Sequence, residues 1–275
     1  MSDNQAAMPD HPLAPKPSLW PLAWTIWVDL LIIASLVVIL NLVVSIVIGT
    51  LAVQQGLTLY DSNGAVSVDR LTFILGPIGF TVIITAQSLI FSLVPLARVV
   101  GLRQESLAQI GFRAARPLHL AAQGIGLGLV LLALNLIIAN IFSQLGISQN
   151  QSDNFPLRSG DLIGQILIAI AVSVIGPLGE EILFRGYIFN ALLQSWGRLA
   201  AYLISALLFS LAHSLAATQG ISALLAPTFI IGLVLAWNMH RTGSLLPSFI
   251  AHATNNSIAV SLLIGCASNS ALCAS

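Results

Sequence analysis

Apolar residues run almost unbroken along this chain, in long stretches parted by short polar breaks. A continuous run of about 17 to 25 apolar residues is what an α-helix needs to cross a bilayer, whereas barrel strands would alternate apolar and polar positions in shorter segments. The pattern predicts an all-α fold, a polytopic transmembrane helical bundle with about seven or eight spans. The polar, proline-rich head, 1–19, reads as a disordered cytoplasmic tail, with no cleavable signal peptide evident because the first apolar run starts late and continues too long. Spans are expected within 20–53, then over 71–96, 118–145, 161–194, 199–217, 221–239 and 245–265. The chain accordingly divides into N-terminal transmembrane helices over 20–160, a helical core over 161–265 and a C-terminal tail, 266–275.

The polar breaks orient these spans. Trp20, Trp24 and Trp27 open the first one, as aromatic residues do at a membrane interface. Arg98, Arg103, Arg113 and Arg116 cluster after the second span, and Arg198 and Arg241 fall at turns on the same side. By the positive-inside rule that side is cytoplasmic and the N-terminus is too. Pro177 is expected to kink its helix, because proline removes an intrahelical hydrogen bond. Tight turns are expected at Trp196-Gly197-Arg198 and at His240-Arg241-Thr242-Gly243.

Composition agrees with a lipid environment. Of 275 residues, 57% are hydrophobic and 7% charged, against roughly 25% charged in a soluble domain. The net charge is zero with no basic tract, so nucleic acid is not an expected partner. Cys266 and Cys273 stand in no metal-ligand spacing and read as incidental, with a tail disulfide as the second reading.

Charge at membrane depth costs about 2.5 to 3.5 kcal/mol per residue on insertion scales, so a charged cluster there points to function. Glu180, Glu181 and Arg185 form such a cluster; His213, His252 and Asn256 add further polar groups in apolar segments. Residues four apart share a helix face, which pairs Glu181 with Arg185, Phe209 with His213, and His252 with Asn256. Adjacent Glu180 and Glu181 point about 100° apart, so Glu181 is expected to hold Arg185 while Glu180 faces the histidines. An antiparallel pair folded at Gly197 brings Glu180 and His213 to similar depth. His252 joins them in the cytoplasmic half if the ends of the fourth and fifth helices project beyond the bilayer. Asp29 stands apart in the first span and reads as a snorkelling or helix-pairing carboxylate, with substrate or proton contact as the second reading.

The motifs E-E-x-x-x-R (Glu180, Glu181, Arg185), F-x-x-x-H (Phe209, His213) and H-x-x-x-N (His252, Asn256) occur in order on separate apolar segments. Together they resemble the CPBP family of intramembrane proteases, also called the CAAX protease or Abi, bacteriocin-processing family. The resemblance covers about 161–264 and implies an intramembrane endopeptidase whose catalytic residues are Glu180, His213, His252 and Asn256, supported by Glu181, Arg185 and Phe209. It implies Glu180 and His213 activating water, with His252 and Asn256 stabilising the oxyanion. Neighbouring Asn255 falls outside the H-x-x-x-N spacing and is the lesser candidate.

No cofactor is expected on this reading, since H-E-x-x-H is lacking. Zinc held by Glu180, His213 and His252 is the second reading. The expected partners are the lipid bilayer and a membrane-associated peptide or protein substrate, lipid-modified or not. The expected location is a bacterial inner membrane. Two other classes compete: a non-proteolytic scaffold or bacteriocin self-immunity protein, and a transporter using the same groups as a proton relay. Against the transporter, no matching polar interruptions are read in the first half of the chain.

Overall fold

The computed structural model describes residues 22–60, 67–113, 115–147, 155–215 and 221–268; the expected tail 1–19 lies outside them. The described regular elements are all helical: α1 (Leu22–Gln54), α2 (Val68–Leu96), α3 (Pro117–Gln144), α4 (Leu162–Ile170), α5 (Gly176–Glu180), α6 (Asn190–Leu215), α7 (Ile221–Thr242) and α8 (Leu245–Ser268). π-helical turns occupy Ala97–Leu102, Ala171–Ile175 and Glu181–Phe189, and a 3-10 turn occupies Leu107–Ile110.

Among the described residues six helical segments are long and apolar enough to cross a membrane, against the seven or eight spans expected, and this is an integral membrane protein. The difference lies in Leu162–Ser214, where the expected fourth and fifth spans form one helical stretch. That stretch turns back on itself at Gly197, whose φ of 82° lies in the left-handed region that favours glycine. The second expected turn is also present, with His240 and Arg241 in the last turn of α7 and Gly243 at φ 63°.

Lipid supplies no hydrophobic force between helices, so close contact relies on small residues and interhelical hydrogen bonds. The pairing of α3 with α8 follows this rule. A Cβ on Gly128 would sit 2.7 Å from the Ala251 carbonyl oxygen, and one on Gly124 would sit 2.8 Å from that of Pro247. Asn135 on α3 donates to Asn255 on α8 at 3.0 Å. The Leu162–Ser214 stretch forms the centre, with Leu183, Ile188, Phe189, Leu192 and Phe209 all buried. Helix α1 turns Leu31 and Val38 outward on the lipid-facing perimeter.

Asp29 takes the helix-pairing role. It is buried, and Arg98 grips both of its oxygens, at 2.8 Å and 2.5 Å, while the Tyr187 hydroxyl donates to the same carboxylate. The cluster ties α1 to the end of α2 and to the π-helical turn after Glu180. Cys266, expected to be incidental, is disulfide-bonded; Cys273 lies outside the described residues.

Candidate active site

Pro177 does more than kink its helix. Without an N–H it cannot continue an α-helical ladder, and the chain enters it through the π-helical turn Ala171–Ile175. The Ile175 carbonyl accepts from the Ser88 hydroxyl of α2 at 2.5 Å. One turn on, Gly179 lets α2 approach: a Cβ there would lie 2.7 Å from the Ser88 carbonyl oxygen. A second π-helical turn starts at Glu181, so Glu180 stands between two widened helical turns and Glu181 opens the second. Such turns recur at functional sites because they re-aim side chains without breaking the helix.

The motif residues meet across three elements. Glu180 Oε2 lies 3.6 Å from His213 Nε2 and 3.7 Å from His252 Nε2. These separations suit charge attraction but exceed a direct hydrogen bond. Glu180 Oε2 is shielded and accepts no hydrogen bond from the described residues.

Each histidine is oriented from behind. His213 Nδ1 is 3.0 Å from the Phe209 carbonyl oxygen, and His252 Nδ1 is 3.0 Å from Glu181 Oε1. A carbonyl or carboxylate only accepts, so both Nδ1 atoms carry the proton and both rings present Nε2 to Glu180.

Glu181 and Arg185 form the backing layer. Arg185 Nη1 lies 3.2 Å from Glu181 Oε1, and both side chains are essentially fully buried, at 0% and 1% exposure. The guanidinium carbon stands 4.1 Å from the centroid of the Phe209 ring. No Arg185 nitrogen makes a well-directed hydrogen bond with the described residues, and its charge is met by the Glu181 carboxylate and the ring face. Phe209 therefore stacks on Arg185, lies 4.4 Å from the His213 ring by centroids, and holds the His213 tautomer through its carbonyl.

A cavity of about 180 Å³ opens beside Glu180, His213 and Asn256, with Gln87 of α2 among its walls. It reaches Phe80 and Phe155, which lie toward the end of the bundle opposite the arginine cluster. Asn256 Nδ2 donates to the Val172 carbonyl at 3.1 Å, and its Oδ1 accepts from Asn255 Nδ2 at 2.9 Å. With Asn135 donating to Asn255, a chain of three amides fixes how Asn256 faces the cavity. His252 is buried behind Glu180.

Attention to motif spacing missed Asn135, Gln87 and Ser88. Their signal was a polar residue inside an apolar first-half span, the same signal that marked the C-terminal residues. Asn255, set aside on spacing, belongs to the hydrogen-bonded chain. Among the described residues no group of three or more His, Cys, Asp or Glu side chains is arranged to hold a metal ion.

Comparison with known proteins bears on the same segment. Residues 162–258 match the family model described as type II CAAX prenyl endopeptidase Rce1-like. The UPF0177 protein YxdF of Lactococcus lactis subsp. lactis (strain IL1403) is 33% identical over 99 residues, which cover 35% of this chain and 51% of that protein. The chain thus spans about half the length of the curated relative it matches. No solved structure matches it significantly. Over residues 162–258, the stretch holding all three motifs, the chain is similar to the Rce1-like type II CAAX prenyl endopeptidases.

Proposed function

We propose that this protein is an intramembrane endopeptidase that hydrolyses a peptide bond of a membrane-associated protein or peptide. One observation carries the reading: a shielded carboxylate oxygen of Glu180, without a hydrogen bond, is faced by the Nε2 atoms of both His213 and His252. Asp29, by contrast, has all its charge matched.

In this reading Glu180, aided by His213, takes a proton from water as the water oxygen bonds to the scissile carbonyl carbon. Negative charge moves to the carbonyl oxygen, where the second N–H of Asn256 Nδ2 and a doubly protonated His252 stabilise it. Glu181 balances the imidazolium from the Nδ1 side. Collapse of the intermediate breaks the C–N bond, and the proton held by Glu180 passes to the leaving amine. The water is consumed between a new carboxylate and a new amine.

The zinc reading assigns Glu180, His213 and His252 as ligands, with Glu181 orienting His252 as outer carboxylates orient metal-bound histidines. The same convergence of both Nε2 atoms on Glu180 Oε2 would serve that ligand set, and no step is routed through a metal. Activity retained after chelation supports the metal-free reading; activity lost and restored by zinc overturns it.

The family match puts prenylated C-terminal peptides among the candidate substrates, beside unmodified membrane peptides. The arginine-rich end is assigned to the cytoplasm of a bacterial cell by the positive-inside rule. The experiment compares peptide termini in membranes of cells carrying the native chain or a His213→Ala variant. Termini that depend on His213 identify both reaction and substrate; identical termini favour the scaffold or self-immunity reading.

A further inference from the structure

The arginine-rich end holds a feature that the proposed hydrolysis does not use. Arg98 is paired with Asp29, and Arg103 with Glu105. Arg113 and Arg241 have no carboxylate within ion-pair distance among the described residues. Both line one cavity of about 200 Å³, together with Gln109, Asn190 and Thr242, and no acidic residue contributes to its wall. Two cations facing one space repel each other unless an anion lies between them.

The cavity is held in shape from several sides. Leu245 N–H donates to the Gly111 carbonyl at 2.9 Å, the Ser244 hydroxyl donates to the Arg113 carbonyl, and Asn190 Nδ2 donates to the Gln109 carbonyl at 3.2 Å. Arg113 also donates through Nε to the Ala108 carbonyl at 2.8 Å, which aims the rest of its guanidinium. Arg241 lies 5.4 Å above the Trp237 ring. These contacts leave the terminal nitrogens of both arginines for a tetrahedral oxyanion, which guanidinium groups bind in pairs of parallel hydrogen bonds.

A second cavity, of about 330 Å³, shares Gly111 and Arg113 with the first. Its other walls are apolar, among them Phe112, Leu178, Ile182, Leu246 and Phe249, apart from Glu181, which is already engaged by Arg185 and His252. Phe112 and Leu178 are exposed on the perimeter of the bundle, and Leu178 belongs to a membrane-spanning stretch. A basic cavity thus adjoins an apolar one that opens toward lipid.

We propose that this pair of cavities binds an anionic phospholipid, with its phosphate between Arg113 and Arg241 and one acyl chain in the apolar cavity beyond Phe112. The charge of the one cavity and the apolar walls of the other match the two parts of one amphiphile. Neither Arg113 nor Arg241 takes part in the hydrolysis proposed above, and the site can be tested without an assay for it.

The test uses the purified full chain in nanodiscs of phosphatidylcholine alone or with phosphatidylglycerol, read by thermal unfolding and by lipid adducts in native mass spectrometry. Phosphatidylglycerol should raise the unfolding temperature and be retained as an adduct. Arg113→Gln or Arg241→Gln should weaken its retention about tenfold or more, since hydrogen bonds between charged groups contribute about that factor. Arg241 is exposed, so its variant reads the site even if Arg113→Gln fails to fold. Arg198→Gln, at the same end but outside both cavities, should change nothing, and inorganic phosphate alone should not reproduce the shift. Equal effects of the two lipids, full retention by Arg241→Gln, equal loss in Arg198→Gln, or a complete shift with phosphate alone would each overturn the proposal.

Discussion

Two carboxylates, Asp29 and Glu180, lie within the bundle, and their surroundings differ in kind. Asp29 is gripped on both oxygens by Arg98 and accepts a further hydrogen bond from the Tyr187 hydroxyl. Glu180 keeps one oxygen without a hydrogen bond, faces two imidazole nitrogens from 3.6 and 3.7 Å, and borders a cavity. A matched buried ion pair joins helices; a carboxylate without a matched donor keeps an acceptor atom free for reaction at the cost of local stability. The difference teaches that burial of charge alone does not mark an active site, whereas incomplete matching beside a cavity does.

That contrast is sharpest under charge removal. Glu180→Gln keeps the shape but removes the base, and should lower peptide cleavage by about 10²- to 10⁴-fold, the usual worth of general acid–base groups. Its unfolding temperature should stay near that of the native chain. Asp29→Asn should do the reverse. It leaves Arg98 without its counter-charge and should destabilise the fold by about 3 kcal/mol, near the lower end for breaking a buried pair because Arg98 is partly exposed. Cleavage per folded molecule should be unchanged. Parallel activity and unfolding measurements check both, and equal behaviour of the two variants would dissolve the comparison.

Glu181→Gln should combine both kinds of loss. It removes the charge facing Arg185, which is fully buried, and weakens the acceptor that orients His252. Lowered stability together with reduced cleavage is expected, and a change in cleavage alone would place Glu181 with Glu180 instead.

Smaller effects should come from residues that shape the site at a distance. Gly179→Ala forces a Cβ against the Ser88 backbone, an overpacking that typically costs about 1–3 kcal/mol. Asn135→Ala removes one interhelical hydrogen bond, worth about 0.6 to 2 kcal/mol in membrane proteins. Because that bond anchors the amide chain to Asn256, cleavage should fall several-fold with little change in the unfolding temperature.

Much of this was readable from residues alone. Unbroken apolar runs announced a helical membrane protein, and spacing of four put Glu181 beside Arg185 and left Glu180 for the histidines; Glu180 does face both, but His252 has its nearer contact, 3.0 Å, with Glu181. The fold at Gly197 was foreseen as a turn, but whether it parts two spans or bends one helical stretch depends on backbone angles that composition does not carry. The π-helical turns flanking Glu180 were equally hidden, because they arise from Pro177 and from packing against α2. Asp29 gave no hint of Arg98 or Tyr187, since those contacts join positions far apart in the chain. Asn135 and Gln87 were legible as polar residues in apolar helices but lay outside the motifs that drew attention.

The most direct measurement uses purified protein, freed of metal by chelation and reconstituted in liposomes with membrane peptides from cells lacking it. New peptide termini should appear with the native chain, persist through chelation, and vanish with Glu180→Gln at equal folded amounts. Termini that still form at the native rate with Glu180→Gln would contradict the assignment of that unpartnered carboxylate as the reacting base.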